Sequence, residues 1–220
     1  MFVNAFSDFS LTQRQCQNSA TESTHFSLPS PRIGLENRRL AFGNTVSSKH
    51  DLFVVGDWVD KYPESVKALS DAGNEVMNHS TNHAHFSQLS SDQIVSDITE
   101  CNEKIAAVTG VTPTLFRCPY GEYDDHVISA VSGMGMTLVQ WNVDSLDWKG
   151  ISAEEIKTRV LKNVSPGSII LFHNAAENTP EALPGIIEAL IADGYKIVPI
   201  SQILLTGEYM IDHTGKQCAK

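Results

Sequence analysis

Glu75-Val76-Met77-Asn78-His79-Ser80-Thr81-Asn82-His83 joins a short apolar run to two histidines four residues apart, and its reading decides the fold. The run is too short for a helix and bears polar, chemistry-capable side chains where it ends, as a buried strand opening into a loop would. The pattern recurs. Apolar runs at Leu52 to Val55, Thr114 to Phe116, Met136 to Trp141, Ser168 to Phe172 and Tyr195 to Pro199 alternate with amphipathic stretches, as expected of βα units around a parallel sheet. Helix ends are legible between them. Ser152 with Glu155 forms a capping box, and Thr179-Pro180 supplies an N-cap with proline at the first helical position. Gly73, Gly110, Gly133 and Gly194 each stand where a helical pattern stops and a left-handed residue is expected. Six strands with intervening helices favour a barrel-like α/β fold over an open three-layer sheet.

Residues 1–50 read differently: Ser, Thr, Asn and Gln are frequent and no apolar period persists, so this segment is expected to be loop or disorder. It carries a charge of +2, which leaves −12 on the remaining residues of a chain of net charge −10. The expected organisation is an unpatterned segment 1–50, one domain over 51–210 and a tail 211–220. The acidic balance excludes the basic stripe a nucleic-acid binder needs. No apolar run is long enough to span a bilayer, and the N-terminus lacks the basic patch and apolar core of an export signal. Cys16, Cys101, Cys118 and Cys218 form no C-x-x-C pair, which points to neither a zinc knuckle nor a disulfide framework.

In α/β barrels the chemistry sits at the C-terminal ends of the strands. Read there, Met77 leads to His79 and His83, Phe116 to Arg117-Cys118-Pro119-Tyr120-Gly121, Val143 to Asp144-Ser145-Leu146-Asp147-Trp148, and Phe172 to His173-Asn174. Two histidines four apart can present both imidazoles to one metal ion if the segment is helical or tightly turned. Taken singly, each residue has a plain alternative: surface histidines, a structural arginine for Arg117, an N-cap for Asp147, a core histidine for His173. Their common position at the strand ends favours a joint site.

In His79-Ser80-Thr81-Asn82-His83, Arg117-Cys118-Pro119-Tyr120, Asp147-Trp148 and Leu171-Phe172-His173, in that order, the chain resembles the polysaccharide deacetylases with NodB homology, carbohydrate esterase family four. The resemblance implies a deformed (β/α) barrel that removes N-acetyl groups from peptidoglycan or chitin-like polysaccharide with a divalent metal, zinc by preference. It implies that His79 and His83 bind the metal, and that Arg117 orients the general base. The backbone N–H of Tyr120, beside Pro119, stabilises the oxyanion, and His173, held by Asp147, protonates the leaving amine. Trp148 and Leu171 wall the acetyl pocket. Such proteins are usually extracellular or bound to the cell envelope.

The resemblance also implies an acidic tetrapeptide ending a first strand, which supplies the base and the third metal ligand. It should lie roughly two dozen residues before Phe53, where the chain reads Phe26-Ser27-Leu28-Pro29-Ser30. Phe6-Ser7-Asp8-Phe9 is similar in character but lies further upstream with no apolar strand before it, and Asp57 occupies an ordinary loop position. The first βα unit is therefore read as missing or replaced, and the alternative to a hydrolase is a catalytically inactive carbohydrate-binding homologue. A frame change offers one origin. Ser48-Lys49-His50-Asp51-Leu52-Phe53 can be encoded AGC AAA CAT GAC CTT TTT, and one base later the same letters read Ala-Asn-Met-Thr-Phe-Phe, close to the family's second strand. That origin requires a neighbouring frame upstream of Phe53 to encode a strand ending in Phe-Asp; sequencing the 5′ region of the gene checks it, and a natural lineage with a replaced N-terminus lacks such a frame.

Overall fold

The computed structural model describes residues 6–10, 49, 51–212 and 214–220. Its strands are β1 (Phe6–Ser10), β2 (Asp51–Val54), β3 (Glu75–Asn78), β4 (Leu115–Phe116), β5 (Thr137–Leu138), β6 (Val143–Asp144) and β7 (Ile169–His173). The helices are α1 (Gly56–Lys61), α2 (Pro63–Asp71), α3 (Ser91–Thr109), α4 (Asp125–Gly133), α5 (Ala153–Asn163) and α6 (Thr179–Ala192). A hairpin of β8 (Tyr209–Ile211) and β9 (Gln217–Ala219) ends the chain, so the expected boundary at 210 falls inside a strand.

The seven strands form one sheet in the order β5-β4-β3-β2-β1-β7-β6. Its neighbours are parallel except β1, which runs antiparallel to both β2 and β7. Laid flat, seven strands about 4.8 Å apart would separate β5 from β6 by about 29 Å. Yet only residues 139–142 connect them, and the chain from Leu138 to Val143 reaches at most ~18 Å. The sheet must curl toward a barrel. The same four residues line the seam: Val139 N–H donates to Phe116 O at 2.8 Å, and Asn142 N–H to Ile169 O at 3.1 Å.

Both faces of the sheet are buried, which explains why the strands read as continuous apolar runs. One face turns inward: Phe53, Met77, Leu115, Val139 and Leu171 pack together with Ile200. The alternate residues face outward. Leu52, Val54 and Val76 meet α1, α2 and α3, Phe116 meets α3 and α4, and Val143, Ile170 and Phe172 meet α5 and α6.

Several expected boundaries move. The capping box of Ser152 and Glu155 is present at α5, and Gly110 is left-handed at the end of α3 (φ 77°). Gly133, in contrast, is the last residue of α4, and Gly135 takes the left-handed position (φ 72°). Asn178 precedes α6 in place of Thr179, whose hydroxyl is engaged elsewhere. Tyr195 to Pro199 holds only the bridge residues 197–198 and no strand. Within the segment expected to lack pattern, residues 6–10 are a strand in the sheet; the rest of that segment, apart from residue 49, lies outside the described residues.

Asp51 is wholly buried at the base of β2, where its Oδ2 accepts from Ile200 N–H at 2.9 Å. Burial and the neighbouring Glu75 carboxyl hold its proton well above the ordinary carboxylate range. The folded state therefore binds that proton more tightly than the unfolded chain, and ionisation opposes folding as pH rises above about 4. Asp51→Asn should raise the unfolding free energy at neutral pH and flatten its fall between acid and neutral pH, as measured by urea denaturation across that range.

Candidate active site

Strand alternation builds the site. Each inward core residue is followed two positions later by a residue on the same face, now at the barrel mouth: Met77 leads to His79, Leu115 to Arg117 and Leu171 to His173.

His79 is buried, and its Nδ1 lies 2.8 Å from the Arg117 carbonyl oxygen. A carbonyl only accepts, so Nδ1 carries the hydrogen and Nε2 keeps its lone pair. Burial, reinforced by His83, pushes the His79 pKa well below its ordinary value, and burial lowers that of half-buried His83. Both imidazoles are thus kept neutral. Their rings stand 5.0 Å apart, and His173 is close enough to act on His79 electrostatically.

The turn between the histidines is tightly held. Asn78 Oδ1 accepts from Ser80 N–H at 2.8 Å, and Ser80 Oγ from His83 N–H at 2.8 Å. From α1, the N–H groups of Gly56 and Asp57 donate to the carbonyls of Ser80 and Thr81, each at 2.9 Å. Asn78 Nδ2 in turn donates to Ile98 O and Asn102 Oδ1 of α3, at 2.9 and 2.8 Å.

Arg117 is the largest fully buried side chain among the described residues. Its guanidinium lies 4.2 Å over the Phe53 ring and 5.5 Å from that of Trp141, and donates to the carbonyls of Val139 and Gln140, both at 3.2 Å. Burial lowers its pKa. Pro119 is buried at the head of the next turn, and Tyr120 is exposed with left-handed backbone (φ 61°). The Tyr120 ring meets His83 edge-on at 4.5 Å and stacks on His85 at 4.2 Å. His85 is tied by Nδ1 to Glu122 at 2.9 Å.

Across the mouth, a left-handed turn at Leu146 (φ 55°) delivers Asp147. Its buried carboxylate accepts from His173 Nδ1 at 2.8 Å, His173 N–H at 2.9 Å and Thr179 Oγ1 at 2.6 Å. The Trp148 ring is exposed, 6.4 Å from the His173 ring. Leu171 is buried in the interior core, two residues below His173 on the strand.

The donor chemistry of His79 and His83 fits a zinc-type ion: neutral imidazoles, one oriented by a backbone carbonyl on its second nitrogen. Among the described residues no group of three His, Cys, Asp or Glu could hold a metal ion. Asp57 lies exposed in the first turn of α1. The register of β1 sets Phe6 opposite His173 but Asp8 opposite Leu171 and Asp51, about 7 Å from the mouth along the strand. The sequence reading missed His85, although it stands two residues after His83, and Asp97, which the fold alone brings to the histidine turn. Gly56 is also new: a Cβ there would stand 3.1 Å from Thr81 Cα.

The curled α/β sheet thus brings paired histidines and a carboxylate-held histidine together at its strand ends. The sequence profile of the polysaccharide deacetylases matches residues 46–139. A peptidoglycan-N-acetylglucosamine deacetylase of Bacillus cereus is 30% identical over 164 residues, 73% of this chain and 60% of that protein. PdaC, a peptidoglycan-N-acetylmuramic acid deacetylase of Bacillus subtilis, is 35% identical over 151 residues, 69% of this chain and 32% of its own length. The crystal structure of BA3943, a CE4 family pseudoenzyme from Bacillus anthracis, superposes with a TM-score of 0.72 at 32% identity, covering 76% of this chain and 59% of that one. The chain belongs to the polysaccharide deacetylase family, carbohydrate esterase family four.

Gly56→Ala should destabilise the protein by about 1–3 kcal/mol, because the new methyl presses on the Thr81 backbone, which is already fixed by hydrogen bonds. Urea denaturation checks this, and an unchanged midpoint would show that the turn yields freely.

Proposed function

We propose that this domain binds N-acetylated polysaccharide of the peptidoglycan or chitin type and is built for metal-dependent removal of its N-acetyl groups, a reaction that this chain carries out slowly. The observation that carries the reading is the neutral pair His79 and His83 facing His173 on its Asp147 support. The relatives named as peptidoglycan deacetylases support the substrate class. A peptidoglycan substrate puts the protein at the cell envelope.

His79 and His83 would hold the ion, zinc by the nature of the donors. When bound, such an ion polarises the acyl oxygen and brings the pKa of a bound water toward ~7. Asp147 fixes the His173 ring with Nδ1 protonated, which directs Nε2 toward the mouth to pass a proton to the departing amine. The backbone N–H of Tyr120, on its left-handed turn, is assigned to the developing oxyanion. The exposed rings of Tyr120 and Trp148 offer apolar faces to the sugar.

Slow turnover is proposed because no group of three His, Cys, Asp or Glu among the described residues is placed to hold a metal ion. The same observation favours a second reading, a carbohydrate-binding member without turnover. BA3943, a CE4 pseudoenzyme, resembles this chain, and a mutant of BA3943 with restored enzymatic activity has the same fold (TM-score 0.72).

Acetate release from chito-oligosaccharides and peptidoglycan, with and without added zinc, tests the proposal. The expected result is zinc-dependent release at least ~100-fold slower than that of a complete relative, lost in His173→Ala. Binding with no release establishes the second reading, and release at the relative's rate refutes the slow-turnover claim.

A further inference from the structure

The turn that carries both histidines is conformationally costly: Ser80 (φ 69°) and His83 (φ 61°) are left-handed without being glycine, and such residues persist only where their surroundings over-determine them. Thr81, midway between the histidines, is the residue most firmly fixed from outside. On one side its carbonyl accepts from Asp57 N–H in α1 at 2.9 Å. On the other, its N–H donates to Asp97 Oδ1 at 2.8 Å, and its hydroxyl donates to the Asp97 carbonyl oxygen at 2.9 Å. Asp97 belongs to α3, so two helices hold the peptide groups on either side of Thr81.

We infer that Asp97 is a positioning residue for the metal site: its carboxylate sets the Thr81 peptide and, through it, the relative placement of His79 and His83. The inference rests on the metal-dependent reading above. A carboxylate is an expensive choice for this place. Burial pushes the Asp97 pKa up to about 6, and Glu100 and Asp57 add to the rise, partly countered by Thr81 N–H and Lys104. Lys104 is itself engaged by Asp60 at 2.9 Å and Glu100 at 2.8 Å. A mere helix buttress would be served by an apolar contact. What the carboxylate adds is a directional acceptor for the one amide midway between the histidines. Partners that orient metal-binding side chains commonly alter metal affinity by roughly ten- to a hundredfold when removed.

The test uses the full chain with Asp97→Ala, Asp97→Asn and a control in the same helix, Ile105→Val, whose side chain is buried in the outer core away from the turn. Three quantities are measured: zinc affinity by competition with a chromophoric chelator, hydrogen exchange of the amides of residues 78–84, and the thermal midpoint. Asp97→Ala should bind zinc roughly tenfold more weakly and exchange faster at the turn, while Asp97→Asn, which keeps an oxygen acceptor, recovers most of both. Ile105→Val should lower the midpoint without either effect. Zinc affinity and exchange unchanged in Asp97→Ala, or losses matched by Ile105→Val, overturn the inference. If the parent chain binds no zinc, the metal reading fails by itself. Exchange then decides the clamp: selective acceleration in Asp97→Ala upholds it, and unchanged exchange refutes it.

Discussion

The two-residue alternation of strands buried on both faces is the constraint on which the structure depends. With Phe53, Met77, Leu115 and Leu171 committed to the interior, the helices must cover Leu52, Val76, Phe116 and Phe172 on the other face. The next inward positions, His79, Arg117 and His173, must then emerge at one mouth. A slip of one residue in any strand would exchange a core side chain for an outward one and carry its functional residue away from the mouth. The curl of the sheet completes the arrangement, because residues 139–142 are too few to join β5 and β6 across a flat sheet.

The two sides of the mouth differ in how they are held. Asp147, from the loop after β6, and His173, the last residue of the adjacent strand β7, fasten each other directly, with Thr179 closing the carboxylate. His79 and His83 instead depend on a turn with left-handed residues, fixed by α1, by α3 and by the Arg117 carbonyl. One side is a short hydrogen-bonded cluster. The other is an assembly of parts brought from distant places in the chain, and it accumulates the buried, destabilised ionisations of His79, Arg117 and Asp97.

Much of this was legible in the sequence because strand ends and helix caps are local. The runs at Leu52, Glu75 and Ser168 became strands, and the Ser152 cap closed with Glu155. Failures arose where tertiary demands outweighed local signals. Thr179 has ideal N-cap chemistry, yet Asp147 engages its hydroxyl and Asn178 takes the cap position. The helix of Gly133 runs on to that residue, and Gly135 makes the turn. Residues 6–10 show no apolar period, and their place between β2 and β7 is a property of the sheet rather than of the segment. Asp97 carries no local sign of its role, since it stands sixteen positions from Thr81 and the packing of α3 on the turn brings the two together.

The antiparallel entry of β1 bears most directly on chemistry. In a parallel barrel each strand delivers its C-terminal residues to the mouth, which is how four loops here converge. A strand of opposite direction presents its beginning there instead, so Phe6 stands opposite His173 while Asp8 and Ser10 lie progressively further down. β1 can therefore satisfy the backbone hydrogen bonds of β2 and β7 without its register setting Asp8 level with His173. β1 thus fills its slot in the sheet while running opposite to both of its neighbours. Membership of the polysaccharide deacetylase family follows from the strands that keep their direction.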